Sequence, residues 1–94
     1  MDIAKVLTVS TAHISEETAE LLCIEPETDG MGVSVYCKSE YGWFIHVPDD
    51  IRERGENLPK DLWSCMLIAY IHNCKWLCLD CDGEEIEELE KYEW

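Results

Sequence analysis

Basic residues are scarce in this chain. Its 94 residues include 7 Lys and Arg against 21 Asp and Glu, a formal net charge of -14. Binding to nucleic acid rests on Lys and Arg neutralising phosphates, so the balance argues against direct nucleic-acid contact. Long apolar runs are lacking too. The longest mostly apolar stretch is Leu62 to Ile71, well short of the ~20 residues that span a bilayer, so no membrane partner is expected. The start, Met1-Asp2-Ile3-Ala4-Lys5, has no basic stretch followed by an apolar one. No signal peptide is visible, and the expected address is the cytoplasm. Internal repeats, linkers and low-complexity segments are absent apart from an acidic end.

What is present is enough to fold. The composition is 47% hydrophobic, with four Trp and four Tyr, which argues against wholesale disorder despite the charge. The length fits a single domain, residues 1–94, with one core. Six cysteines (Cys23, Cys37, Cys65, Cys74, Cys78, Cys81) without a secretion signal read as reduced thiols, which bury as small hydrophobes.

Lys5 to Ser10 is rich in β-branched residues and reads as a first strand. Ser15 is placed to cap a helix whose first turn carries Glu16 and Glu17, where negative charge suits the dipole. Ile14 and Ala19 occupy staple positions, and Pro26, Asp29 and Gly30 are expected to end the helix. Gly32–Cys37 and Trp43–Val47 alternate as strands, joined by a hairpin loop at Lys38–Gly42. Pro48 closes the second of them, and Asp49–Asn57 reads as a polar, turn-rich surface loop. Pro59 suits the first turn of a helix to about Asn73, with Leu62, Cys65, Met66 and Ala69 as its core stripe and Asn73 as a left-handed cap. Trp76–Asp80 is apolar on both faces, as an interior strand is. Asp82 and Glu85 have capping-box spacing, which predicts a short acidic helix over 83–91, with Tyr92 and Trp94 folding back on the domain; an edge strand is the alternative. The order β-α-β-β-α-β predicts an α+β, ferredoxin-like fold: a mainly antiparallel sheet with two helices on one face and an acidic C-terminal element.

Several groups of residues are candidates for chemistry. Cys78 and Cys81 form a C-x-x-C that, with His72 and Cys74, offers four zinc ligands, although on a strand Cys78 and Cys81, three apart, would point to opposite faces. His13 follows the first strand, and Asp80 and Asp82 end the last. Parallel pairing of those strands would bring the three to one sheet edge as an acid–base or metal group. No nucleophile motif or phosphate loop accompanies them, so structural hydrogen bonding is the plainer reading, and no catalytic residue, metal or cofactor is expected. Tyr41-Gly42-Trp43-Phe44 puts aromatics at a hairpin exit, where core packing explains them without an RNA platform, since the basic groove is missing. The apolar Leu62–Ile71 helix is a third candidate. It offers a docking element for a structural or regulatory subunit, self-association included.

The most distinctive stretch is the end of the chain. Asp80, Asp82, Glu84, Glu85, Glu87, Glu88, Glu90 and Glu93 face only Lys91. Wound as a helix at ~1.5 Å per residue, this places one negative charge per ~2.5 Å, approaching the ~1.7 Å of duplex DNA. Glu16, Glu17 and Glu20 of the first helix add to it. A solvated acidic face is the plain reading of these residues; a partner-binding surface that stands in for phosphates is the functional one.

Three segments, Ser10-Thr11-Ala12-His13-Ile14, Tyr41-Gly42-Trp43-Phe44 and Trp76-Leu77-Cys78-Leu79-Asp80-Cys81-Asp82-Gly83, resemble a family of small, functionally unassigned proteins of phages, plasmids and conjugative elements. The resemblance spans about residues 8–94. It implies no catalytic residues, but it implies a setting in which small acidic proteins disarm host defences, anti-CRISPR and anti-restriction DNA mimics being the analogy. The expectation is a protein-binding inhibitor rather than an enzyme. Its expected partner is a basic host protein such as a CRISPR effector or another nucleic-acid-binding protein.

Overall fold

The computed structural model describes residues 1–24 and 33–94. In chain order the elements are β1 (Val6–Ser10), α1 (Glu16–Ile24), β2 (Val35–Lys38), β3 (Gly42–His46), α2 (Lys60–Ile71) and β4 (Trp76–Asp80). Short 3-10 turns cover Thr11–His13 and Ile51–Asn57. The α+β class and the β-α-β-β-α-β order are those expected. The predicted turn at Pro26–Gly30 and the Gly32 start of β2 lie outside the described residues.

The sheet runs β1-β4-β3-β2. β1 and β4 are parallel, with Ser10 opposite Asp80, and the other two pairings are antiparallel. β4 is therefore interior, as its two apolar faces required. Alternation splits every strand between two faces. On one, Leu7, Val9, Val35, Trp43, Ile45, Leu77 and Leu79 meet Ala19 and Leu22 of α1 and Leu62, Cys65, Met66 and Ala69 of α2. Each large side chain removed from water here contributes about 1.5–3 kcal/mol. On the other face lie three cross-strand rows: Val6, Trp76, His46; Thr8, Cys78, Phe44, Tyr36; and Ser10, Asp80, Gly42, Lys38. Neither helix covers this second face.

Local signals act where they were read. The Ser15 hydroxyl accepts the Thr18 N–H at 3.3 Å, capping α1. Asn73 ends α2 with a φ of 62°. The hairpin turns through Ser39 at φ 51° and Gly42 at φ 152°. A Cβ on Gly42 would sit 1.7 Å from the Leu79 carbonyl oxygen, so only glycine allows β3 to lie this close to β4. One tie has no local signal. Asp61 at the start of α2 accepts the Ser15 N–H at 2.7 Å and the Thr18 hydroxyl at 2.8 Å, joining the N-termini of the two helices.

One expectation is refined and one is overturned. Residues 49–57 are turn-rich and largely exposed, as expected, but Ile51–Asn57 winds into a 3-10 turn whose Ile51 is fully buried and whose carbonyl accepts the Trp63 indole N–H at 2.8 Å. Ile51 and the buried Leu58 are the apolar residues in that polar stretch, and they fill the space beside α2. Residues 83–91 form no helix; beyond Asp80 the chain runs on in turns and irregular backbone. Glu84 and Glu88 are like charges four apart, which disfavours a helix. The segment's backbone groups also find partners on the domain, Ser10 and His13 among them, and so need no helical ladder.

Candidate functional site

The C-terminal segment from Gly83 to Trp94 is a strap fastened to the residues that follow β1. Gly83 passes so close to β1 that a Cβ would meet the Val9 carbonyl at 2.5 Å. Ser10 N–H donates to the Glu84 carbonyl at 2.9 Å, and Tyr92 N–H donates to the Ala12 carbonyl at 2.8 Å. The Trp94 indole N–H donates to the Ile14 carbonyl at 3.0 Å. Tyr92 and Trp94 do fold back, as expected, although without the helix. Leu89 joins the core cluster and Ile86 packs against it.

His13 is the centre of this fastening. It is 1% exposed. Its Nε2 accepts the Ile86 N–H at 2.9 Å, and its Nδ1 lies 2.8 Å from the Glu90 carbonyl oxygen. An acceptor Nε2 leaves the proton on Nδ1, so the ring is a neutral imidazole bonded at both nitrogens. The expected grouping of His13 with Asp80 and Asp82 is not assembled. β1 and β4 are parallel neighbours, but His13 turns to the strap while Asp80 bonds Lys38 across the sheet and the Asp82 N–H at 2.8 Å. The ion pair with Lys38 and the bond from Asp82 hold the Asp80 carboxyl below its ordinary range, and the hydrogen bond to Asp80 raises the Lys38 ammonium.

The predicted acidic positions separate into two kinds. Asp82, Glu84, Glu85, Glu87, Glu88, Glu90 and Glu93 are exposed, as are Glu16, Glu17 and Glu20 of α1. The end of the strap reaches Ile14, two residues before α1, so both acidic stretches border the same end of the domain. Asp80 differs: its side chain is 15% exposed and paired with Lys38, so its carboxylate is already engaged. Among the described residues, the strap's one ion pair is Glu85 with Lys91 at 3.9 Å, both side chains exposed. The Tyr92 hydroxyl donates to Glu90 at 3.1 Å, and burial together with that carboxylate holds the phenol above its ordinary range. Between strap and α2 lies a hollow of about 490 Å³ lined by His13, Lys60, Asp61, Ser64, Glu88 and Tyr92, among others.

The Cys and His candidates do not converge. Cys65, Cys74 and Cys78 are buried, whereas Cys23, Cys37 and Cys81 are exposed. Burial pushes the Cys65 thiol up to about 12 and raises Cys78 as well, so neither is a ready thiolate. Among the described residues, the one grouping of three His, Cys, Asp or Glu with ligand atoms within 4.8 Å of one another is Asp80, Cys81 and Asp82; the 72–81 set is not such a group. The apolar residues of α2 mostly serve their own domain, with Ile71 left exposed. No helix among the described residues is long and apolar enough to cross a membrane.

The chain matches the Family of unknown function (DUF5983) C-terminal domain over residues 6–94. It belongs to that family. The match covers β1, the strap and everything between them. No curated protein and no solved structure matches the chain.

The His13–strap contact escaped sequence reading, because nothing local links residues 73 and 77 positions apart. The aromatic face of the sheet escaped it too. A signal existed, since Tyr36, Phe44 and Trp76 each alternate with core residues and so point away from them.

Proposed function

We propose that this chain is a small acidic inhibitor that binds a basic, nucleic-acid-binding host protein and occupies its phosphate sites with carboxylates. The observation that carries this reading is the strap. Its backbone is pinned to the domain by His13, Ser10, Ala12 and Ile14, while its glutamates point to solvent and make one ion pair among the described residues. A fixed backbone lowers the entropy lost when the carboxylates meet a partner. Charge-assisted hydrogen bonds from Arg and Lys would then form to carboxylates as they do to phosphates. The net charge of -14 steers the encounter over long range.

The host setting belongs to this proposal. Its support is the resemblance of three segments to proteins of phages, plasmids and conjugative elements, a setting with use for a protein that disarms CRISPR or restriction machinery, and a CRISPR effector is the target of first choice. The charge spacing calculated for a helix does not apply, since the strap is irregular; the mimicry rests on exposed carboxylates rather than on a helical repeat.

The test is charge reversal at Glu84, Glu85, Glu87 and Glu88, all to Lys. The host protein is captured on the immobilised chain, and its DNA binding is then measured with and without the soluble chain. The native chain should block DNA binding, less so as salt rises from about 0.05 to 0.2 M. The quadruple variant should fail to block while keeping its circular dichroism spectrum. Full-strength inhibition by that variant would sink the proposal.

A further inference from the structure

Val6, Tyr36, Phe44 and Trp76 line a hollow of about 410 Å³ on the sheet face that neither helix covers. The Tyr36 and Trp76 rings are 5.8 Å apart and tilted by 55°, and His46 meets Trp76 edge-on at 5.2 Å. Among the described residues of the three strand rows the one cation is Lys38, which is paired with Asp80 and lies 5.7 Å from the Phe44 ring centre. The floor is thus apolar and aromatic within a chain of net charge -14. Trp76 also borders an adjoining hollow of about 510 Å³ with His46, Asp2 and Asp49. Asp49 pairs there with Lys75 at 3.3 Å, but both side chains are mostly exposed, and such a pair gives way readily. Aromatic faces beside solvent-facing carboxylates match the two halves of an arginine: a flat cation that stacks on rings, and a fork that binds carboxylates.

We propose that this face docks an arginine side chain presented by a positively charged protein segment, its guanidinium stacked on Tyr36 and Trp76 and directed toward Asp2 and Asp49. The partner's positive charge is the one point on which this rests on the proposed function. A second copy of the chain is a poor occupant. Strands ~4.8 Å apart and same-face residues ~6.7 Å apart give the face a footprint of about 350 Å², against ~800 Å² per partner in a stable interface, and two copies would repel. A nucleotide would place a phosphate in the same repulsive field.

The probes are two blocked peptides of equal charge, four Gly-Arg repeats and four Gly-Lys repeats, with oligothymidine as the third. Each is titrated into the ¹⁵N-labelled chain, following indole and backbone N–H signals. The Arg peptide should shift the Trp76 indole signal and bind about 2- to 5-fold tighter than the Lys peptide, the increment of an exposed cation–π contact. Tyr36→Ser should erase that preference, and its exposed position leaves the core untouched. The quadruple strap variant should weaken both peptides alike and keep the preference. If the strap variant leaves both affinities unchanged, the strap reading fails while the Arg preference still decides this one. Equal affinity for the two peptides, shifts that bypass Trp76, tighter binding of oligothymidine, or concentration-dependent Trp76 shifts in the chain alone would each overturn the proposal.

Discussion

Leu77 and Trp76 are neighbours on β4, and they meet different surroundings. Leu77 is 0% exposed among aliphatic side chains beneath two helices, whereas Trp76 is half-buried among Tyr36, His46 and Val6 on the open face. The pattern repeats on β3, where Ile45 is core and Phe44 is not. The covered face carries mostly β-branched and Leu side chains, with Trp43 as its one ring, and all of them join the core cluster or pack against it. The open face carries rings and a neutralised ion pair, groups that tolerate water on one side and a partner on the other. The difference teaches that burial on one face is enough to hold the sheet, so the side chains of the other face are set by something other than core packing.

The sharpest way to break this contrast is Leu77→Ala. Loss of a fully buried Leu should cost about 2–5 kcal/mol, read as a lowered urea midpoint with unchanged slope. A cost under about 1 kcal/mol would mean that the covered face is not the core. Next comes the strap. His13→Ala removes the partner of both the Ile86 N–H and the Glu90 carbonyl and should cost about 1–3 kcal/mol. Faster hydrogen exchange at Ile86, with β4 amides still protected, would show the strap opening by itself. Uniform loss of protection would instead place the strap inside the cooperative unit with the covered face.

A smaller effect belongs to the Lys38–Asp80 pair on the open face. The folded-state carboxyl of Asp80 is lowered, so its contribution is present above the ordinary Asp range and is lost as pH falls through the lowered value. The Lys38 end is raised, so its share persists through neutral pH and is lost as pH rises through that raised value. Asp80→Asn should therefore flatten the acid limb of the stability–pH curve; an unchanged limb would show that the pair is immaterial. The smallest effect is expected from Tyr36→Ser, within about 0.5 kcal/mol, because Tyr36 is 49% exposed. A loss comparable to that of Leu77→Ala would erase the distinction between the faces.

What was legible in the sequence was short-ranged. Ser15 caps α1, Asn73 takes the left-handed position after α2, and Gly42 ends the hairpin because each acts on backbone within a few residues. Apolar patterning was also sufficient: two apolar faces placed β4 in the interior, and helical spacing placed the stripe Leu62, Cys65, Met66 and Ala69 in the core. The acidic positions of the strap were legible as exposed, since charges in such number cannot all be buried. Their backbone was not. Capping-box spacing at Asp82 and Glu85 argued for a helix, and the structure gives that backbone other partners, from Ser10 and His13. A helix is chosen by partners three or four residues away; the strap was chosen by partners more than seventy residues away. The sequence by itself therefore determined which residues are apolar, which are charged and where the chain turns. Tertiary structure alone decided that both ring nitrogens of His13 fasten the strap, away from Asp80 and Asp82. It alone decided that Asp80 is held by Lys38, and that three aromatic rings share one uncovered face. Each of these needed distant strands to be brought into register, and a hydrogen bond or ring contact has no reach of its own until the fold supplies the neighbour.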